Sequence, residues 1–355
     1  MHDVWISGLG HAMPGPAIKQ QDVADWLKLR LRPGSDGERF QRFADRSGVT
    51  FRHSVLDILG GEGDHFYPKG GMSQPDMMKR SLAFSALALP LSLAAIERAC
   101  PQGVGDITHI IGVTCTGAIA PGLDIQLAKA LKLRGDVRRT MITFMGCYAA
   151  IPALRIAYAT CQADAKARVL VVCCELSTLH LTPGPQDDLL IAALLFADGA
   201  SAVVVESGDS PKGRGIRIVR ESSALSPDSE DQMTWLAGAE GFVLRISPKL
   251  ISTIAMDLAP LSQRLLPDGR PSNAIRWAVH PGGPRILDSV EKHLELGAGA
   301  LASSREELAI GGNRSSGTVL AILERDLGQT WTGELAMIAF GPGLTADAML
   351  VERCQ

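Results

Sequence analysis

The sequence has little excess of either charge. Its 35 Lys and Arg against 38 Asp and Glu give a formal net charge of -3. That leaves no electrostatic footprint for nucleic acid, so any anionic ligand must be met by a local basic patch. The first residues, Met1-His2-Asp3-Val4-Trp5, lack a basic segment leading into a long apolar stretch and are not expected to form a signal peptide. Long apolar runs are missing too: no uncharged run reaches the roughly 18 residues of a membrane span. Ile191 to Phe196 and Val169 to Cys174 have the lengths of core strands. Seven cysteines, an odd number without framework spacing, argue against a disulfide scaffold and for a reducing cytoplasm. Cys173 and Cys174 are adjacent, so on a strand they point to opposite faces and cannot easily share a metal ion. All cysteines but one are expected to be small buried apolar side chains.

What the chain has is a core. At 355 residues, 46% hydrophobic and 21% charged, it can bury one large domain or two intimately packed halves. No low-complexity linker divides it. Residues 1 to about 100 look helix-rich, with glycine-dense loops at Gly60 to Gly63 and Lys69 to Gly71. Beyond them strands and helices alternate. Strands are predicted at Ile107–Val113, Val169–Cys174 and Ser201–Glu206, and helices at Ile125–Leu133 and Ile151–Cys161. The second half repeats the order: a strand at Ile275–Val279, helices at Arg285–Leu294 and Ser315–Leu327, and a strand pair, Leu335–Phe340 with Ala346–Val351. Two α/β halves, 1–210 and 211–355, with a seam between them, are the expected organisation.

Four short islands carry the chemistry. Gly146-Cys147-Tyr148-Ala149 sets a cysteine between a strand end and a helix, with Pro152 acceptable only in that helix's first turn. A thiol at a helix N-terminus is expected to have a lowered pKa. His280-Pro281-Gly282-Gly283-Pro284 ends a strand with a histidine, and its glycines permit close ligand approach. Gly312-Asn313-Arg314-Ser315-Ser316 supplies one of only two asparagines in the chain. Ser315 can cap the helix that follows, which would free the Asn313 amide to form an oxyanion hole with His280. Phe340-Gly341-Pro342-Gly343-Leu344-Thr345 is a tight turn with few side chains to block a pocket. Separately, Arg39, Arg42 and Arg46 recur at i, i+3, i+7. On a helix they would share one face, with Phe40 and Phe43 turned elsewhere, a stripe suited to phosphate.

In this order the islands resemble the type III polyketide synthases, the chalcone- and stilbene-synthase-like enzymes and their bacterial relatives. The likeness is dense from about Asp106 to Arg353. It implies the thiolase fold, five layers α-β-α-β-α in two pseudo-duplicated halves, as a cytoplasmic homodimer. By the resemblance Cys147 carries the growing acyl chain as a thioester. His280 and Asn313 hold thioester carbonyls and assist decarboxylation of malonyl-coenzyme A. Arg39, Arg42 and Arg46 match the basic coenzyme A-binding helix, and Phe196 matches a gatekeeper phenylalanine. Phe340, Gly341, Pro342 and Gly343 line the cyclisation cavity, with His180, Leu244 and Ser315 counted among its substrate-binding residues. Substrates would be an acyl-coenzyme A starter and malonyl-coenzyme A, with no metal and no cofactor beyond these thioesters, and no nucleic-acid or membrane partner.

Several positions depart from the plant pattern. Leu244 stands for a second gating phenylalanine, His180 for a threonine that shapes the pocket, and Ala120 for a methionine that reaches into the partner's cavity. Tyr148 and Ala150-Ile151-Pro152 differ from the plant Phe-Ala-Gly-Gly. These point to a bacterial-type enzyme and leave open the product: alkylpyrone, alkylresorcinol, phloroglucinol or naphthalene. The rival enzyme class is a β-ketoacyl-carrier-protein synthase III-like enzyme that condenses once. A non-catalytic paralogue would be expected to have lost Cys147, His280 or Asn313, and all three are present.

Overall fold

The computed structural model describes residues 2–71, 74–208, 215–266 and 269–354. The expected boundary at 210/211 lies outside the described residues.

Nine strands form one hydrogen-bonded sheet. Across it run Arg276–Val279, Gly333–Gly341, Thr345–Arg353, Ile216–Leu225, Val4–Ala12, Asp198–Ser207, Arg168–Leu176, His109–Thr114 and Arg138–Thr143. The middle junction is thin: Val4–Ala12 meets Ile216–Leu225 only at Trp5↔Arg217 and Ile6↔Ile216. On either side the same order recurs. The first strand of each half lies antiparallel to its last strand, that one antiparallel to the penultimate, and the penultimate parallel to an earlier strand. The duplication suspected from the sequence is therefore visible as topology.

The pleat explains the layers. In Arg168–Leu176, Val169, Val171 and Cys173 enter one core while Leu170, Val172 and Cys174 enter another. The shared core collects inward faces from both halves of the sheet and clamps two helices, Ala150–Ala163 and Thr318–Leu327, between them. The outer face of the first half is covered by the helix Met77–Ala99 and its neighbours. The outer face of the second half is covered by Leu250–Leu265 and Pro284–His293. The result is helix, sheet, helix, sheet, helix, as the resemblance implied. Met77–Ala99 is long and apolar enough to cross a membrane by composition. Here Phe84, Ala88, Leu91, Ala95 and Ile96 are buried in the core over the first half of the sheet.

Two expectations need correction. Residues 1 to 100 are not simply helical, because Val4–Ala12 is a central strand of the sheet. Its alternation is obscured by Gly8 and Gly10, where a Cβ would stand within 2.2 and 2.6 Å of the helix backbone at Ala99. Ile191 to Phe196 is no strand: it belongs to the helix Asp187–Leu195, with Phe196 just past its end. A short apolar run reads the same way in either state when its helix is buried on most sides.

Candidate active site

Both central helices begin at the same cavity. Cys147 lies in the turn between the strand Arg138–Thr143 and the helix Ala150–Ala163, with Pro152 in the first helical turn. The turn is sharp: Phe144 and Gly146 have φ of 60° and 88°. Opposite it, Asn313 precedes the single turn Ser315–Gly317 that leads into Thr318–Leu327. His280 follows the strand Arg276–Val279 and is buried. Cys147, His280, Asn313 and Ser315 line one cavity of about 840 Å³, measured to include its open mouth, together with Phe196, Leu244, Phe340 and Pro342.

Asn313 is held from both sides. Its backbone N–H donates to Leu195 O at 2.8 Å, and its carbonyl accepts from Ala197 N at 2.9 Å, bracketing Phe196. The expected capping is reversed: Asn313 Oδ1 accepts the Ser315 N–H at 2.8 Å, rather than Ser315 acting as cap. This orients the amide and leaves its NH2 to donate elsewhere; both Asn313 and Ser315 favour the Cys147 thiolate. Next to it, the Arg314 guanidinium is buried against the Glu307 carboxylate, which also receives Arg325 Nε at 2.9 Å. Removing one partner of such a pair costs on the order of 3–5 kcal/mol.

The electrostatics differ from expectation. Burial pushes the Cys147 thiol up to about 12, against the lowering effect of Ser315 and Asn313, and nearby Glu175 raises it further. Burial also depresses His280 to about 3. Among the described residues neither ring nitrogen of His280 has a partner, so both are available to a ligand. The resting pair is a neutral thiol and a neutral imidazole: desolvation outweighs the helix N-terminus. Glu175, wholly buried, is raised by the same cause although Cys115 N, Thr116 Oγ1 and Ser316 Oγ donate to it at 2.9, 2.9 and 2.6 Å.

The glycine-proline turn meets the cysteine turn with no room to spare. A Cβ on Gly146 would lie 2.6 Å from Pro342 Cδ, and one on Gly341 would lie 2.3 Å from the Tyr148 ring. Gly341 thus packs against Tyr148 and Gly343 against Thr345, rather than facing the cavity; Phe340 and Pro342 supply the lining. His180 is also displaced from its expected place. It lines a narrow slit next to the cavity, where Nε2–H donates to Thr116 O at 2.9 Å and burial depresses its pKa to about 3. Leu244 borders both spaces.

Arg39 and Arg42 lie on a helix, as expected, but Arg46 is its C-cap, and Arg39 lies over the Phe43 ring, which was expected to turn elsewhere. Asp36 caps Gly37–Asp45 through the Arg39 N–H, Phe40 is fully buried, and Arg39, Arg42 and Arg46 are exposed. Arg39 pairs with Asp187, at the start of the helix whose Ile191, Ala192 and Leu195 line the cavity. The stripe therefore stands beside the cavity mouth.

Sequence reasoning missed the hairpin Met233–Gly238 and Gly241–Ile246, which supplies Met233, Trp235 and Ile246, and it missed Cys115. Cys115 had been grouped with the structural cysteines; its sulfur accepts the Gly146 N–H at 2.9 Å. A signal available for the hairpin was Trp235, which follows the mostly polar stretch from Asp228 to Gln232.

Comparison with known proteins agrees with this geometry. The chalcone and stilbene synthase N-terminal domain matches residues 3–209, and the C-terminal domain of the same family matches 218–354. The chain belongs to this family. It is 31% identical, over 98% of its length and 90% of the relative's, to the alpha-pyrone synthesis polyketide synthase-like Pks18 of Mycobacterium tuberculosis. With the bisdemethoxycurcumin synthase of Oryza sativa subsp. japonica it shares 33% identity, covering 98% and 91% of the two chains. The crystal structure of PKS-I from the brown alga Ectocarpus siliculosus superposes with a TM-score of 0.92 at 28% identity, covering 100% and 99%. The chain is a type III polyketide synthase, an acyltransferase of the thiolase fold.

Two outcomes test this site. Because the thiol sits far above neutral pH, alkylation of Cys147 by iodoacetamide should quicken about tenfold per pH unit from 6 to 9; a rate flat with pH would mean a resting thiolate. Gly146→Ala should destabilise the fold by about 1–3 kcal/mol in thermal unfolding and lower turnover, because Pro342 and the cysteine turn must part.

Proposed function

We propose that Cys147 is the acyl-carrying nucleophile of this synthase, with His280 and Asn313 as its proton-transfer and oxyanion groups. The observation that carries the reading is their convergence, with Ser315, on one cavity from three separate elements. In loading, the Cys147 sulfur attacks the carbonyl of an acyl-coenzyme A while its proton passes to His280. The coenzyme A thiolate leaves and takes that proton back, restoring neutral imidazole. Malonyl-coenzyme A then loses carbon dioxide. The two electrons of the broken C–C bond become an enolate, whose oxygen accepts from the Asn313 amide and from His280. The enolate carbon attacks the Cys147 thioester, expelling the sulfur and lengthening the chain by one ketide unit. Return of that chain to Cys147 permits another round, and cyclisation ends the sequence.

Arg39, Arg42 and Arg46 would hold the phosphates of coenzyme A beside the mouth. We also assign a homodimer acting in the cytoplasm. In support, Arg138–Thr143 is an edge strand with most of its residues exposed, and Phe144 beyond it is 46% exposed, a surface that a second copy can cover.

The test is incubation of the purified protein with radiolabelled malonyl-coenzyme A and a panel of acyl-coenzyme A starters, read by mass spectrometry. Cys147→Ala should abolish both starter loading and product. Asn313→Ala should lower decarboxylation about 10²–10³-fold while Cys147 still accepts a starter. Condensation that requires a malonyl-carrier protein would instead place the chain with the single-condensation synthases. Replacing Arg39, Arg42 and Arg46 with glutamine should raise KM for the thioesters and leave kcat little changed; an unaltered KM would dissociate the stripe from coenzyme A.

A further inference from the structure

One arginine of the basic stripe already has an anionic partner. Arg39 pairs with Asp187, and its guanidinium also stands 5.9 Å over the Phe43 ring. Among the described residues Arg42 and Arg46 form no ion pair. The acids closest to the stripe in sequence are engaged locally. Asp36 accepts the Arg39 N–H at 2.9 Å as the helix cap, and Asp45 accepts from Gln41 at 2.7 Å. Asp187 differs from these because it comes from another element, 148 positions from Arg39.

Asp187 opens the helix Asp187–Leu195, and with Asp188 it forms an acidic first turn, where negative charge suits the helix dipole. The two carboxylates then diverge. Asp188 lies 3.6 Å from Arg245 of the hairpin and accepts the Leu189 N–H at 3.0 Å, with its side chain only 13% exposed. Asp187 reaches across to the stripe instead. The Arg39 and Asp187 side chains are 50% and 41% exposed, so an incoming phosphate can reach both. Further along the same helix, Ile191, Ala192 and Leu195 line the cavity. The carboxylate therefore stands where a thioester bound at the stripe would pass into the site.

A phosphate arriving at the stripe meets Arg39 in one of two ways. It displaces Asp187, or it shares the guanidinium and stands close to a like charge. Both weaken its binding, and an exposed pair of this kind shifts an equilibrium by up to about fivefold. We propose that Asp187 is a built-in competitor for the coenzyme A phosphates, which holds Arg39 between turnovers and keeps the grip on coenzyme A loose enough for exchange. This rests on the stripe being the coenzyme A site. Exchange matters because loading and each added ketide unit leave one coenzyme A thiol, which must depart before the next malonyl thioester binds. A tighter site would bind substrate and departing coenzyme A alike, lowering KM without speeding the chemistry. Asp187 acts on the phosphates and not on the acyl group, so its removal should be felt only by thioesters that carry them.

The experiment titrates free coenzyme A calorimetrically into wild type, Asp187→Asn, Asp188→Asn, Arg39→Gln and the Arg39→Gln/Asp187→Asn pair, each checked for a cooperative thermal transition. KM is then measured for malonyl-coenzyme A and for malonyl-N-acetylcysteamine, a thioester without phosphate. Asp187→Asn should tighten coenzyme A about two- to fivefold, lower KM for malonyl-coenzyme A by a similar factor and strengthen inhibition by free coenzyme A. KM for the phosphate-free thioester should not move, whereas a general disturbance of the helix would move both. Asp188→Asn removes the same charge from the same turn and should match wild type. In the Arg39→Gln background Asp187→Asn should have no further effect. The proposal falls if Asp187→Asn binds coenzyme A no tighter than wild type, if both thioesters shift alike, or if the gain persists without Arg39. Wild-type affinity after Arg39, Arg42 and Arg46 are all replaced by glutamine is a different result, which removes the stripe from the coenzyme A site itself.

Discussion

The fold depends on one shared layer: two helices that both halves of the sheet bury at once. Ala150–Ala163 and Thr318–Leu327 occupy corresponding places in the duplicated topology, so their N-terminal turns, holding Cys147 and Asn313, open on a common space. Apolar burial of about 1.5–3 kcal/mol for each large side chain in that layer holds the helices. Glu175 then fixes the joint. Its carboxylate has no access to water and takes bonds from Cys115 and Thr116 of the first half and from Ser316 of the second. A buried carboxylate with this many donors ties the two halves at a specific offset, because shifting either one leaves acceptor or donor unmatched in a low-dielectric interior.

Around that joint the remaining contacts are steric. The turn of the last strand pair comes so close to the cysteine turn that Gly146 and Gly341 cannot carry side chains. The position of Pro342 therefore follows the position of Cys147. Any change in the loop that lines the cavity is transmitted to the nucleophile through van der Waals contact, not through a chain of hydrogen bonds. The Arg314–Glu307 pair supplies a second constraint, directed along the backbone: it anchors the residue next to Asn313, while Leu195 and Ala197 fix Asn313 itself.

The parts of this arrangement visible in the sequence were those where chemistry constrains residue type. Cys147, His280 and Asn313 each stand beside glycine or proline, which marks a turn at each of them. The alternation of strand and helix after residue 107 was equally plain, because buried parallel strands are short runs of branched aliphatics. The first strand was not, since two glycines replace apolar side chains where the helix Met77–Ala99 rests on it. His180 was misplaced for a related reason. Its ring faces the slit because Thr116 O and the Phe242 N–H capture both nitrogens, and those partners lie 64 and 62 positions away. The hairpin with Trp235 could not be found by local pattern, because its strands face a cavity on one side and water on the other, and only tertiary position tells them apart.

The lowered thiol pKa expected from a helix N-terminus failed for a reason that bears on the chemistry. A helix end contributes about half a charge, within one turn, and its effect is modest when the sulfur must also give up water. In the cavity desolvation wins for both members of the pair, raising Cys147 and lowering His280. Each group alone resists ionisation, so charge arises when a thioester carbonyl arrives to accept the sulfur and the proton moves across. The imidazolium so formed has the thioester's oxyanion beside it, in surroundings where that attraction is little screened. An unpartnered histidine is then suited to this site: with no carboxylate bound to it at rest, its ring remains free to take the cysteine proton and, once neutral again, to donate to the enolate oxygen.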